Sequence, residues 1–103
     1  MFRFFLVLAL CLPAIAPAAA QPVPKLDYRK TCAETPAVGM DKKSTLEACL
    51  RDEADARKQL PPVWRKASPK ARGDCLAETT QGGVPSYVEL ITCLEGTMSA
   101  RAK

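Results

Sequence analysis

The chain has 103 residues, with 15 Lys and Arg against 11 Asp and Glu for a net charge of +4, and it contains no histidine. Lacking histidine, it has no His-based triad and neither the commonest general base nor the commonest metal ligand. Its basic residues form no block interleaved with aromatics, so no nucleic-acid partner is expected.

Residues 1–20, MFRFFLVLALCLPAIAPAAA, hold a single charge at Arg3, then an apolar run, then the small residues Ala18, Ala19 and Ala20. This order is that of a secretory signal peptide, with cleavage expected after Ala20. The apolar run from Phe4 to Leu12 is too short to span a bilayer, and Pro13 and Pro17 interrupt the residues beyond it. No stable membrane anchor is therefore expected after cleavage. Leu10 stands where a lipidated Cys11 would need a small residue before it. Loss of Arg3 with the signal leaves 83 residues at +3, enough for one small domain. The remaining charges alternate in sign along the chain, as on a solvated helical surface.

The mature chain keeps Cys32, Cys49, Cys75 and Cys93. An even number in an exported chain reads as two disulfides. Their intervening gaps of 16, 25 and 17 residues do not suit a structural zinc site, which uses close pairs. No C-x-x-C pair is present, so the cysteines are read as staples rather than a redox dithiol. No metal or cofactor is expected.

The leader, residues 21–26, is polar and punctuated by Pro22 and Pro24, and is expected to be flexible. The bridged domain then covers 27–103. Asp27 to Glu34 fits a turn or two of helix with Asp27 as cap, ended by Pro36 and Gly39, and a loop is expected up to Ser44. The central element is a long helix from Ser44 to Trp64, opened by a Ser44/Glu47 capping box. Leu46, Cys49, Leu50, Glu53, Arg57, Leu60 and Trp64 recur at three- and four-residue steps along one side. Asp52, Glu53 and Asp55, next to Arg51 and Arg57, read as a solvated charge face and not as catalytic carboxylates. Pro61-Pro62 is expected to break or kink this helix, leaving Trp64 to a short second piece.

A second helix opens at Ser68-Pro69, a cap followed by proline at the first helical position, and stops at Gly82-Gly83. A third opens at Pro85-Ser86 with a Ser86/Glu89 capping box and carries the stripe Tyr87, Leu90, Ile91, Leu94 and Met98. No strand-type alternation appears. The fold class expected is all-α: a small disulfide-stapled three-helix domain after a cleaved signal peptide. Its core, drawn from Leu50, Leu60, Val63, Trp64, Leu76, Tyr87, Val88, Leu90, Ile91 and Leu94, is marginal for this size. Two bridges closing loops of similar length would each add on the order of 3 kcal/mol.

Helical geometry selects a pairing. Cys75 and Cys93 would differ in height by roughly 5 Å in an antiparallel pair, bridgeable with modest staggering, whereas Cys49 lies roughly 25 Å before the turn leading to Cys75. The expected bonds are Cys32–Cys49 and Cys75–Cys93.

The run Cys49-Leu50-x-Asp52-Glu53-x-x-Ala56-Arg57-x-x-Leu60-x-x-x-Trp64, followed by Cys75 and by Gly82-Gly83-x-Pro85-Ser86-Tyr87-Val88-Glu89-Leu90-Ile91-Thr92-Cys93-Leu94, resembles a group of small exported four-cysteine proteobacterial proteins of unknown function. The resemblance runs from about Tyr28 to the C-terminus and implies a periplasmic helical protein without implying an activity. A looser likeness is to the LprI-type lysozyme-inhibitor domain, a cysteine-bridged helical hairpin, with a longer first cysteine gap and shifted acidic and aromatic positions here.

The function expected is a non-enzymatic, periplasmic or secreted protein-binding module whose partner is another periplasmic or extracellular protein. Its candidate surface is the Gly82–Gly83 loop with Tyr87, since loops on a rigid scaffold commonly carry function. Trp64 would join it as an exposed anchor, although a plug over the helix ends is the commoner role for such a tryptophan. The alternatives are a lysozyme-inhibitor-like protein, or a small enzyme or small-molecule binder using carboxylates and Tyr87.

Overall fold

A computed structural model describes residue 11 and residues 21–101, so the expected signal peptide lies outside the described residues except for Cys11. Four helices follow in order: α1 Tyr28–Glu34, α2 Lys42–Lys66, α3 Pro69–Gln81 and α4 Tyr87–Arg101, with no strand among the described residues. The all-α, disulfide-stapled class holds, and the turn or two of helix expected over Asp27–Glu34 forms as α1, which makes four helices among the described residues where three were expected; Asp27 stands at its N-cap without a side-chain cap bond. Helix α4 is the hub: α2 and α3 both pack on it, while α1 packs on α2. Both expected bridges are present. Cys32–Cys49 joins α1 to α2 with Cα atoms 5.5 Å apart, and Cys75–Cys93 joins α3 to α4 with Cα atoms 5.6 Å apart.

Helix α2 differs from expectation at its start and near its end. Its N-cap is Asp41, not Ser44: the Asp41 carboxylate accepts from the Ser44 N–H at 2.8 Å and from the Ser44 hydroxyl at 3.0 Å. The Ser44 amide and hydroxyl are the groups being capped, so the box with Glu47 never forms. An aspartate is at least as good an N-cap as serine, and its charge also suits the positive end of the helix.

The prolines do not break α2, which runs unbroken from Lys42 through Pro61 and Pro62 to Lys66. Each interior proline costs about 3 kcal/mol, through a lost hydrogen bond and a clash with the preceding turn, so the pair costs up to about 6 kcal/mol. Burying a large apolar side chain stabilises by about 1.5–3 kcal/mol, and two of them, Leu60 and Trp64, flank the prolines on the core side. Breaking the helix would withdraw both. The residues four before the prolines, Arg57 and Lys58, are exposed, so water can reach the carbonyls left without an amide partner. Past the prolines, Arg72 of α3 fastens the helix end. Its Nε donates to the Trp64 carbonyl at 2.8 Å and its Nη2 to the Arg65 carbonyl at 3.1 Å, with the guanidinium 5.7 Å from the Trp64 ring centroid. One side chain thereby satisfies two of the terminal carbonyls that a helix leaves open.

The core gathers Leu60, Trp64, Ala56, Ala67, Ala71, Cys75, Tyr87, Leu90, Ile91 and Leu94. Of the residues expected there, Leu50, Val63 and Leu76 are only half-buried. Val88 is exposed at 41% because it lies off the 87/90/91/94 stripe of α4, a position the 3.6-residue period turns outward. The leader is extended, and three contacts lay it on the core. Trp64 Nε1 donates to the Gln21 carbonyl at 2.8 Å, the Leu26 amide donates to the Tyr87 hydroxyl at 2.9 Å, and that hydroxyl lies 3.4 Å from the Pro24 carbonyl. Tyr28 then packs edge-on against Tyr87, ring centroids 5.7 Å apart.

Candidate functional site

The loop between α3 and α4 is built by glycine at one point. Gly83 has φ of 70°, the left-handed conformation that a side chain resists, and its amide donates to the Thr80 carbonyl at 3.1 Å to close the end of α3. The chain then passes Val84 and Pro85 to reach Ser86, the residue that opens α4.

Four side chains meet at that opening. Ser86 Oγ accepts from the Glu89 amide at 3.2 Å, which is half of the expected capping box. The other half is replaced: the Ser86 amide donates to Thr79 Oγ1 of α3 at 3.0 Å, and Glu89 does not reach back to it. The Thr79 hydroxyl proton has two acceptors within reach, the Ser86 carbonyl at 3.3 Å and Glu89 Oε2 at 3.4 Å. The fourth member is Glu53 of α2. One of its carboxylate oxygens accepts from the Ser86 hydroxyl, and the other accepts from the Tyr87 amide at 2.7 Å.

Glu53 is only 4% exposed, so it is not part of a solvated charge face as expected. A carboxylate placed against the first turn of a helix faces the positive end of the helix dipole and satisfies donors that the helix itself leaves open. Glu53 thus locks α2 to the start of α4, and both of its oxygens are occupied in doing so. Its neighbours Asp52 and Asp55 are exposed, as expected.

The candidate residues do not assemble into one surface. Trp64 and Tyr87 are 3% and 2% exposed, and each is used as a core side chain whose polar end ties down the leader. Gly82 and Gly83 do lie at the surface, on the loop. What the structure opens beside that loop is a face centred on Val88, at which three shallow grooves meet. The largest, about 410 Å³, runs under the loop between Thr31, Thr45, Asp52, Val84, Val88 and Glu89. A second, about 330 Å³, lies between α2 and α4 and takes in Asp52, Asp55, Gln59, Val88 and Thr92. A third, about 300 Å³, lies between α3 and α4 against the Cys75–Cys93 bridge, with Glu78, Val88 and Glu89 along it. There the Glu78 carboxylate approaches Cys93 Sγ to 3.4 Å; a bridged sulfur has no proton, so this is a contact and not a hydrogen bond.

No Lys or Arg lines any of the three grooves, although the chain carries a net charge of +4. Among the described residues the one ion pair is Lys70–Asp74, which leaves Asp52, Asp55, Glu78 and Glu89 without a cationic partner there. Around α2, Asp52, Asp55 and Gln59 follow one edge, with Lys66 farther along it and outside the grooves, while Arg51, Lys58 and Arg65, seven apart, follow the edge next to it. The described residues contain no cluster of metal-ligating side chains, and none of their helices is long and apolar enough to cross a membrane. Comparisons with protein-family models, with characterised proteins and with solved structures each find no match to this chain.

Proposed function

We propose that this is an exported helical module that acts by binding another protein through the face centred on Val88. The observation carrying this reading is the exposed pair Val84 and Val88, at 44% and 41%, placed where three grooves converge on a stapled frame. Exposed apolar side chains rimmed by polar ones are the usual composition of an interaction site. The bridges and Glu53 fix this face before any partner arrives, which lowers the ordering cost of binding. Two disulfides point to an oxidising compartment, consistent with the periplasmic or secreted location that the signal sequence suggests. A role without catalysis fits the absence of histidine and the full occupation of Glu53, the buried carboxylate.

The test places a photo-activatable residue at position 88 in the exported chain, with a second at the exposed position 58 of α2, outside the grooves, as control. Position 88 is expected to trap one discrete protein that position 58 does not. The secreted form should begin at Gln21 and weigh four hydrogens less than the reduced chain. Identical trapping at both positions would remove the site, and a hydrolytic or redox turnover abolished by one carboxylate substitution would replace binding with catalysis. The lysozyme-inhibitor reading stands second, favoured by the acidic lining, which would suit a cationic enzyme. Protection of cell-wall suspensions from added lysozyme is its measure.

A further inference from the structure

We infer that the occupant of the Val88 face is a basic amphipathic segment of a partner protein. Its lysines or arginines would meet Asp52, Asp55, Glu78 and Glu89, and an apolar side chain between them would cover Val84 and Val88. This rests on the binding role proposed above and adds the chemistry of the partner.

The argument is one of complementarity. The face has an apolar centre at Val88, and acids on both flanks of α4: Asp52 and Asp55 toward α2, Glu78 and Glu89 toward α3. No lysine or arginine lines the grooves to neutralise these acids. An anionic segment would meet unscreened like charge. A purely apolar one would strip water from carboxylates without offering them donors, and burying an unpaired charge is costly. A segment with cations flanking an apolar residue does neither. Each solvated ion pair gives only about 0.2–1 kcal/mol, so the charges chiefly steer and orient the partner, while the apolar centre holds it.

The basic edge of α2 in a second copy does not supply the complement, and where exposed apolar side chains do adjoin lysines, Val38 and Met40 beside Lys42 and Lys43, the Asp41 carboxylate stands between them. The basic edge of α2, Arg51, Lys58 and Arg65, has Ala54, Pro61 and Pro62 beside it, and none of the exposed large apolar side chains, Val23, Val38, Met40, Val84 and Val88, lies on that helix. It offers charge without an apolar knob.

The experiment titrates the oxidised mature chain with two amphipathic helical peptides of about four turns, one with leucines flanked by lysines and one with glutamates at the lysine positions. The lysine peptide is expected to bind at low salt and to weaken about ten-fold between roughly 20 and 200 mM salt, as screening shortens the reach of the charges. The glutamate peptide should give no measurable binding. Asp52→Asn/Asp55→Asn, both exposed, should weaken the lysine peptide about ten-fold, and Val88→Ser should weaken it several-fold with the charges intact, the folded state of each being checked by circular dichroism. Arg51→Gln/Lys58→Gln should leave the affinity unchanged or raise it. Equal binding of the two peptides, or indifference to Asp52→Asn/Asp55→Asn, would overturn the inference. A specific partner trapped at position 88 would still leave the binding role standing. Trapping of a second copy there would name a different occupant and also overturn it.

Discussion

Removing the Glu53 carboxylate should destabilise this domain more than any other single change to a charged side chain. Glu53→Ala deletes both acceptors at the start of α4, leaving the Tyr87 amide and the Ser86 hydroxyl inside the protein with no carboxylate to receive them. Hydrogen bonds to charged groups contribute about 1.5–3 kcal/mol each, and a buried donor left unpaired forfeits its hydration as well. Allowing for water entering the vacated space, the expected loss is about 3–5 kcal/mol. A domain of this size typically has about 5–15 kcal/mol in total, so much of the stability is at stake. Glu53→Gln keeps the shape and one acceptor. The Ser86 hydroxyl can turn to accept from the new amide, so its loss should be about 1–2 kcal/mol. Thermal and urea unfolding with both disulfides intact would measure the series. One kcal/mol corresponds to about 4–8 °C in a domain of 60–100 residues, so Glu53→Ala should melt more than about 12 °C below the parent. Glu47→Ala, an exposed position on the same helix, serves as the control and should shift the midpoint little. A Glu53→Ala variant within about 0.5 kcal/mol of the parent would refute the reasoning, since that is the range of ordinary surface changes.

Three more outcomes are expected. The two bridges enclose nearly equal separations, 17 and 18 residues, so chain entropy assigns each about 3 kcal/mol; Cys75→Ser/Cys93→Ser should nonetheless melt well below Cys32→Ser/Cys49→Ser, because it frees α4, on which both α2 and α3 pack, and equal midpoints would contradict this. Trp64→Phe keeps an aromatic ring but loses the indole N–H with its bond to Gln21 and leaves space in the core, so global stability should fall by at least about 1 kcal/mol while amide exchange quickens in residues 21–26; unchanged exchange in the leader would count against the anchor. The Ser44 backbone and hydroxyl bonds hold the Asp41 carboxyl below its ordinary value of 3.8, so this cap contributes stability above that pH and loses it as pH falls through the lowered value; Asp41→Ala should flatten the acid limb of the stability profile and leave its shape near neutrality unchanged.

Local signals in the sequence sufficed for the helical class, for the α3 and α4 openings at Ser68 and Ser86, and for both disulfides. Each rests on spacing within a segment or on the length of a helix. What depended on groups far apart in the chain was misread. The prolines of α2 carry a local instruction to stop, and they are overruled by Leu60 and Trp64 entering the core and by Arg72 closing the end from another helix. Glu53 was one residue among several acids, yet its place on the Leu46–Leu50–Leu60–Trp64 stripe was a visible signal that it faces inward. Only the arrival of Ser86 and Tyr87, 33 and 34 residues later, shows what a buried carboxylate does there. Trp64 and Tyr87, expected in the core and also offered as anchors for recognition, are both core side chains, and the fold uses their polar ends to fasten its own leader. The exposed face, by contrast, is made of residues from α1, α2, α3, the loop and α4, with Val88 at its centre because the helical period turns it away from the core. Over the middle of α2 the helical turn puts Asp52 and Asp55 on a different edge from Arg51 and Lys58, and which edge lies beside Val88 is decided by the packing of α2 against α4.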